Sequence, residues 1–157
     1  MPTEQEVKVA FLYHFARFVE WPSNGSSTGT PFVVAVLASD EYWALAERTL
    51  AGKTASDRPL SLLRVSEPSA ATKARILFVG ATDANRLPEI LRVIEGGSVL
   101  TIGDSEGFAE RGGMIGFRMV DNRVRFDINV EQATRSGLRI SSEVLKLARL
   151  VRTREAR

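Results

Sequence analysis

The sequence predicts a single α/β domain with a mixed, mainly parallel sheet, helices on both faces and a C-terminal antiparallel hairpin. Apolar runs of strand length alternate with helical patterns through the first two thirds of the chain, as in βαβ units. Residues 114–128 then alternate apolar and polar residues around a two-residue turn. The 157 residues, 44% hydrophobic and 25% charged, fit one globular domain of ordinary size.

Residues 1–22 are predicted to form a helix that ends sharply. Thr3 and Glu6 have the spacing of a capping box, and apolar residues then recur at helical spacing. The proline after Trp21 ends the helix, because the residue before a proline avoids the α conformation. Residues 23–31 contain only Ser, Thr, Gly, Asn and Pro, which predicts a loop.

Residues 32–102 are predicted to alternate strands with helices. Several of the apolar runs are continuous, which is typical of strands buried on both faces. The predicted strands are 32–38, 60–65, 75–79 and 98–102, and the predicted helices are 41–50, capped by Asp40, and 87–95. In the hairpin that follows, Phe126 and Ile128 share one face and are predicted to be core. Asn129 is predicted to cap a short helix.

Residues 141–157 are predicted to form a C-terminal helix with a basic tail. Ser141 or Ser142 can cap this helix. The apolar stripe comprises Val144, Leu147, Ala148 and Val151.

The absence of some residue types excludes several chemistries. With no cysteine, the chain has no disulfide, thiolate nucleophile or Cys-based metal site. The single histidine, His14, lies among phenylalanines on an apolar helix face, which favours a core or interface residue over a catalytic one. Gly103–Gly107 follows a strand but lacks the spacing of a phosphate loop. We therefore predict no catalytic residue, no metal and no cofactor.

Size and charge limit the partners. No apolar run approaches the ~20 residues that a membrane span needs. A net charge of +2 gives little support for binding to nucleic acid.

Two candidate sites follow from the predicted elements. Asp40, Gly80 and Asp104 lie near strand ends, where parallel sheets often bind small ligands, although Asp40 is equally explained as a cap and Asp104 as a turn former. A candidate docking surface combines the aromatic end of the first helix with residues off the apolar stripe of the last. Its members are Phe18, Trp21, Leu145, Arg149, Leu150 and Arg152. Burial of Leu145 and Leu150 by the domain's own loops is an equal alternative.

Two segments resemble the YfiR family of periplasmic proteins. Residues 7–22 read VKVAFLYHFARFVEWP, close to the family's opening VKAAFLYNFAKFVEWP. Residues 99–150 follow the family's order and spacing through VLTIGD, GFA, GGMI, VRFDIN and GLRISSEVLKLA. Many relatives carry cysteines where this chain has Ala35 and Ala74, so thiol-based control cannot operate here.

The resemblance implies a non-enzymatic periplasmic protein whose precursor has a signal peptide. It implies repression of an inner-membrane diguanylate cyclase through the cyclase's periplasmic region, with lower cyclic-di-GMP and less biofilm. It also allows a homodimer. The alternative is a small-ligand-binding module that reports to a membrane sensor, and an enzyme ranks third because no acid, base and nucleophile converge.

Overall fold

A computed structural model of the chain describes residues 3–22, 31–55 and 57–153. The helices are α1 (Glu4–Phe18), α2 (Asp40–Leu50), α3 (Leu87–Ile94), α4 (Val130–Arg135) and α5 (Ser142–Leu145). The strands are β1 (Val19–Glu20), β2 (Phe32–Leu37), β3 (Thr54–Ala55), β4 (Arg58–Arg64), β5 (Ile76–Val79), β6 (Leu100–Gly103), β7 (Ile115–Val120), β8 (Arg123–Ile128), β9 (Arg139–Ile140) and β10 (Arg149–Leu150). Two 3₁₀ helices, Pro68–Ala71 and Ala81–Arg86, complete the set.

The predicted fold class is confirmed. An eight-stranded sheet has the order β10-β8-β7-β6-β5-β2-β4-β3, and its centre, from β4 to β7, is parallel. The core divides into two layers, one on each face of this sheet. One layer contains residues of α1 and α2, and the other contains residues of α3. A separate antiparallel pair joins β1 to β9.

The hairpin has the predicted two-residue turn. β7 and β8 pair antiparallel, and the turn residues Asp121 and Asn122 have φ values of 51° and 63°. Such left-handed values match the right-handed twist of the flanking strands. Phe126 is 2% exposed and Ile128 is fully buried, as predicted for the core. Asn129 caps α4 by accepting from the Gln132 N–H at 3.2 Å.

The glycines around the loop after β6 make room for a ring rather than for a phosphate. Phe108 is 1% exposed, and its ring lies between Gly103 and Gly113. A β-carbon on either glycine would approach the ring to 2.1 Å, far inside van der Waals contact. These two positions therefore exclude any side chain.

The predicted C-terminal helix is wrong. Only α5, a four-residue helix, forms there, and the chain then turns into strand β10 beside β8. Leu147, assigned to the buried stripe, is 58% exposed. The helical spacing of apolar residues is overridden by pairing of the Arg149 guanidinium with Asp127 of β8. Residues 154–157 of the predicted basic tail lie outside the described residues, as does most of the predicted loop 23–31.

Asp40 does not cap α2. Ser39 does so, accepting from the Tyr42 N–H at 3.3 Å, and Asp40 is the first residue of the helix. Both residue types cap well, and the position where β2 ends decides between them.

Candidate functional site

A cleft of about 460 Å³ opens at the carboxyl ends of β2, β5 and β6. Gly80 and Asp104, two of the three predicted ligand residues, line this cleft. Asp40 lies instead in a neighbouring hollow, where its carboxylate pairs with Arg64. Helix α2 contributes Tyr42 and Arg48 to the wall of the cleft, and the first turn of α1 contributes Glu6.

An ion triad around a buried lysine forms part of the same edge. Lys8 of α1 is only 3% exposed, and its Nζ donates to Asp104 Oδ1 and Glu4 Oε2, both at 2.5 Å. Burial alone would lower the pKa of Lys8, but the hydrogen bonds to the two carboxylates outweigh it and raise that pKa. The triad fixes Asp104 at the mouth of the cleft. Lys8 is not among the predicted site residues, and its only local signal in the sequence is the i,i+4 spacing from Glu4.

The cleft is also lined by Tyr42, whose hydroxyl group is buried. Its ring stacks on Phe78 with centroids 4.1 Å apart, and the residue is 6% exposed. The hydroxyl oxygen is enclosed and has no hydrogen-bond partner among the described residues. Burial raises the pKa of Tyr42, and the negative charge of Asp104 raises it further.

A second charged cluster lies beyond the triad, around Asp127 of β8. This carboxylate is 5% exposed and accepts from Arg118 Nε at 2.6 Å. It also accepts from Arg149, whose Nε lies at 3.0 Å and whose Nη2 lies at 2.8 Å. Two arginines therefore neutralise one buried carboxylate, and the second arginine ties β10 to the sheet.

The predicted docking residues divide into two groups. Phe18, at the end of α1, accepts from the Ser141 N–H at 3.0 Å through its backbone oxygen, so α1 and α5 are neighbours as the prediction requires. Trp21 instead donates its Nε1–H to the Arg75 carbonyl at 3.0 Å and contacts Phe32 at the amino ends of β2 and β5.

The C-terminal members are likewise divided between the core and the surface. Leu145 is half-buried against the core, which matches the alternative of burial by the domain itself. Leu150 is 59% exposed, and Arg152 is also exposed. Arg149 is half exposed and held by Asp127. The free part of the predicted surface therefore lies along β10.

His14 lies among aromatic rings rather than among polar groups. Its ring centroid is 4.6 Å from that of Phe18 and 6.3 Å from that of Phe11. Burial, and then the charge of Arg17, lowers its pKa. Within the described ranges, no cluster of three or more His, Asp or Glu has the arrangement to hold a metal ion. No helix in the described part of the chain is long and apolar enough to cross a membrane.

Two solved structures share the fold. A conserved domain protein from Vibrio cholerae O1 biovar El Tor has a TM-score of 0.66 at 11% identity, covering 94% of this chain and 60% of its own. The ABC domain in complex with L-Trp from Streptococcus pneumonia has a TM-score of 0.59 at 14% identity, covering 95% of this chain and 62% of its own. The chain thus spans about three fifths of the length of each. At these identities the likeness establishes the α/β fold alone.

A protein-family model describes the sequence far more closely. The model described as YfiR/HmsC-like matches residues 5–149, from the first turn of α1 to β10. The match includes Lys8, Asp104, the cluster around Asp127 and the hairpin.

Proposed function

The chain belongs to the YfiR/HmsC-like family, and on that basis we propose that it is a periplasmic regulator of an inner-membrane diguanylate cyclase. It binds the periplasmic sensor region of the cyclase and represses it, which lowers cyclic-di-GMP and biofilm formation. The observation that carries this proposal is the family match over residues 5–149. Regulation of this kind needs a contact surface and no catalytic group.

The chemistry of the charged residues supports a binding role. Lys8 and Asp127 are the buried charged residues of the described ranges, and both, like Asp104, are engaged in ion pairs. Leu150 and Arg152, by contrast, expose an apolar and a cationic side chain side by side. Exposed apolar residues flanked by arginine are typical of protein contact sites.

We infer a periplasmic location and a precursor with a signal peptide from the same family membership. The docking surface proposed for the cyclase comprises Phe18, Trp21, Leu145, Arg149, Leu150 and Arg152. A second copy of the chain is a further candidate occupant of this surface.

Deletion of the gene in its own bacterium tests the proposal. We expect cyclic-di-GMP, measured by mass spectrometry, to rise several-fold and to fall again when the chain is supplied to the periplasm. Chain retained in the cytoplasm should not restore it. Unchanged cyclic-di-GMP after deletion would contradict the proposal.

Placing a carboxylate at each of two exposed residues of the C-terminal segment tests the proposed docking surface. Leu150→Glu and Arg152→Glu should abolish both repression and capture of the cyclase's periplasmic region by purified protein. Leu63→Glu is the matched control, because Leu63 is also exposed, at 42%, but lies on β4 at the opposite edge. If both β10 variants repress normally, the docking surface lies elsewhere.

The cleft at the carboxyl edge favours a second candidate, a module that binds a small ligand and reports to a membrane sensor. The enclosed Tyr42 hydroxyl beside Asp104 and a volume of about 460 Å³ are the observations that support it. A thermal-shift panel of amino acids, including the L-Trp bound by the streptococcal domain, tests it. At a ligand concentration of about 100 Kd, stability should increase by about 2.7 kcal/mol in native protein. The increase should be smaller in Asp104→Asn.

A further inference from the structure

Strand β8 has an open side. β7 covers one side of β8 along its whole length, whereas β10 pairs only with Asp127 and Ile128 on the other. In the part of the chain that the structure describes, no strand pairs with that other side between Arg123 and Phe126. Four residues of β8 therefore form an unfilled step beside β10.

The register shows which backbone groups face this step. In a two-residue hairpin the pair next to the turn, Val120 and Arg123, exchanges both hydrogen bonds, and bonded and non-bonded pairs then alternate. The N–H and C=O groups of Val124 and Phe126 consequently point away from β7. Ile128 has the same parity, and its carbonyl accepts from the first residue after β10 at 3.0 Å.

The side chains along this edge divide by face. Met119 and Val124 are cross-strand partners on the face that α1 covers, and Leu150 of β10 lies on the same face because it pairs with Ile128. Met119 is 42% exposed. The opposite face carries the exposed guanidinium groups of Arg123 and Arg125. The first face is thus apolar, and the second carries the arginines together with Val120, the partner of Arg123.

Exposed apolar surface is concentrated at this edge. Of the six large apolar side chains exposed in the described residues, Leu147 and Leu150 lie in or just before β10, and Met119 and Val120 lie on β7, across β8 from the open side. The opposite edge of the sheet has one, Leu63, and there β3 already pairs with β4 at Arg58 and Pro59. The two edges therefore differ in how they are protected against an added strand.

We propose that the open side of β8 binds an extended partner segment in which apolar and acidic residues alternate. The segment adds a strand to the sheet: its backbone pairs with Val124 and with the N–H of Phe126, its apolar residues lie beside Val124 on the face that also carries Leu150, and its carboxylates face the arginines. A second copy pairing edge to edge would bring arginines against arginines, which opposes that occupant. This inference rests on the proposed function in taking the segment to belong to the cyclase's periplasmic region.

Binding of blocked, fluorescent ten-residue peptides to the purified chain tests the proposal. A peptide of alternating valine and glutamate should bind, and one of alternating valine and lysine should not. Arg123→Glu combined with Arg125→Glu should weaken binding of the acidic peptide at least about tenfold, whereas Leu63→Glu should leave it unchanged. Methylation of alternate backbone nitrogens in the acidic peptide should abolish binding, since strand pairing needs those donors.

The proposal is overturned if the acidic peptide fails to bind, or if charge reversal or backbone methylation leaves its affinity unchanged. The proposed regulatory function is tested by a different experiment, the gene deletion. Unchanged cyclic-di-GMP after gene deletion counts against that function whatever the peptides do. If the native protein and the double arginine variant capture the cyclase region equally, the β8 edge takes no part in the complex. The proposed regulatory function would still stand.

Discussion

The Nζ of Lys8 lies 2.5 Å from Oδ1 of Asp104, and this contact joins helix α1 to the carboxyl end of β6 across 96 residues of sequence. Glu4 accepts from the same ammonium group at 2.5 Å. One buried cation therefore separates two carboxylates at the edge where the cleft opens. The contact sets both the position of Asp104 and the packing of the first turns of α1.

Replacing Lys8 by Met should destabilise the protein by about 3 kcal/mol at pH 7, because removal of one partner leaves Asp104 as an uncompensated, largely enclosed charge. Urea unfolding measures the loss. The double variant with Asp104→Asn should recover part of it, since the stranded carboxylate is gone. Equal stability of native protein and Lys8→Met would show that the triad contributes nothing.

Alkaline pH should destabilise the fold through Tyr42. Its folded-state pKa is raised above the ordinary value of 10.0, first by burial and then by Asp104. A raised folded-state pKa gives stability that is fully present below the unfolded value and is lost as pH rises above it. The free energy of unfolding should therefore fall above about pH 10.

Tyr42→Phe isolates this contribution. The hydroxyl has no partner among the described residues, so its removal should cost little or nothing at pH 7. Above about pH 10 the variant should lose stability less steeply than the native protein. A loss above about 2 kcal/mol at pH 7 would mean that the hydroxyl makes a hydrogen bond in solution.

Gly103→Ala should destabilise the domain by about 1–3 kcal/mol or more, because the new β-carbon would meet the Phe108 ring at 2.1 Å. Thermal unfolding checks this. The rescue variant is Gly103→Ala with Phe108→Leu, in which the smaller side chain gives way. If the double variant is no more stable than expected from the sum of the single changes, the clash is not the cause.

Local pattern was sufficient to predict much of the fold. Phe126 and Ile128 were assigned to the core from their period of two, and Asn129 was assigned as a cap from its type and place. The apolar spacing predicts a helix through Arg149 where the structure has a strand, because helical spacing carries no information about a buried carboxylate 22 residues away. Local signals compete with such contacts and lose when the contact is charged and enclosed.

The candidate sites were harder to predict for the same reason. Lys8 and Asp127 look like ordinary solvated charges in the sequence, and only the sheet topology buries them beside their partners. The position of Asp104 at the end of β6 is predictable, because following a buried strand is a property of the local sequence. The step beside β8 depends on the short length of β10, which no residue pattern indicates.

Phe126→Ala should cost roughly 3–5 kcal/mol, since the ring is 2% exposed and packs edge-on against Phe15 at 5.2 Å. Val124→Ala, two residues earlier on the same face, is the control. Its half-buried side chain should cost less than about 1.5 kcal/mol. Denaturant midpoints of the two variants give the comparison, and similar losses would contradict the assignment of Phe126 to the core.

Arg149→Met should release β10 from the sheet while leaving the rest of the domain folded. The guanidinium of Arg149 makes two hydrogen bonds to Asp127, but Arg118 still neutralises that carboxylate when Arg149 is replaced. Charge-assisted hydrogen bonds contribute about 1.5–3 kcal/mol when enclosed, but the Arg149 side chain is 52% exposed and solvent screens the pair, so a loss of about 2 kcal/mol in total is expected in local opening. Amide hydrogen exchange of Val151, whose N–H donates to the Ile128 carbonyl at 3.0 Å, should accelerate by about thirtyfold.

Exchange in β5 and β6 is the control for Arg149→Met and should not change, because these strands lie at the centre of the sheet. Unchanged protection of Val151 would show that backbone pairing alone holds the strand, and equal acceleration in β5 would show that Arg149 supports the whole fold.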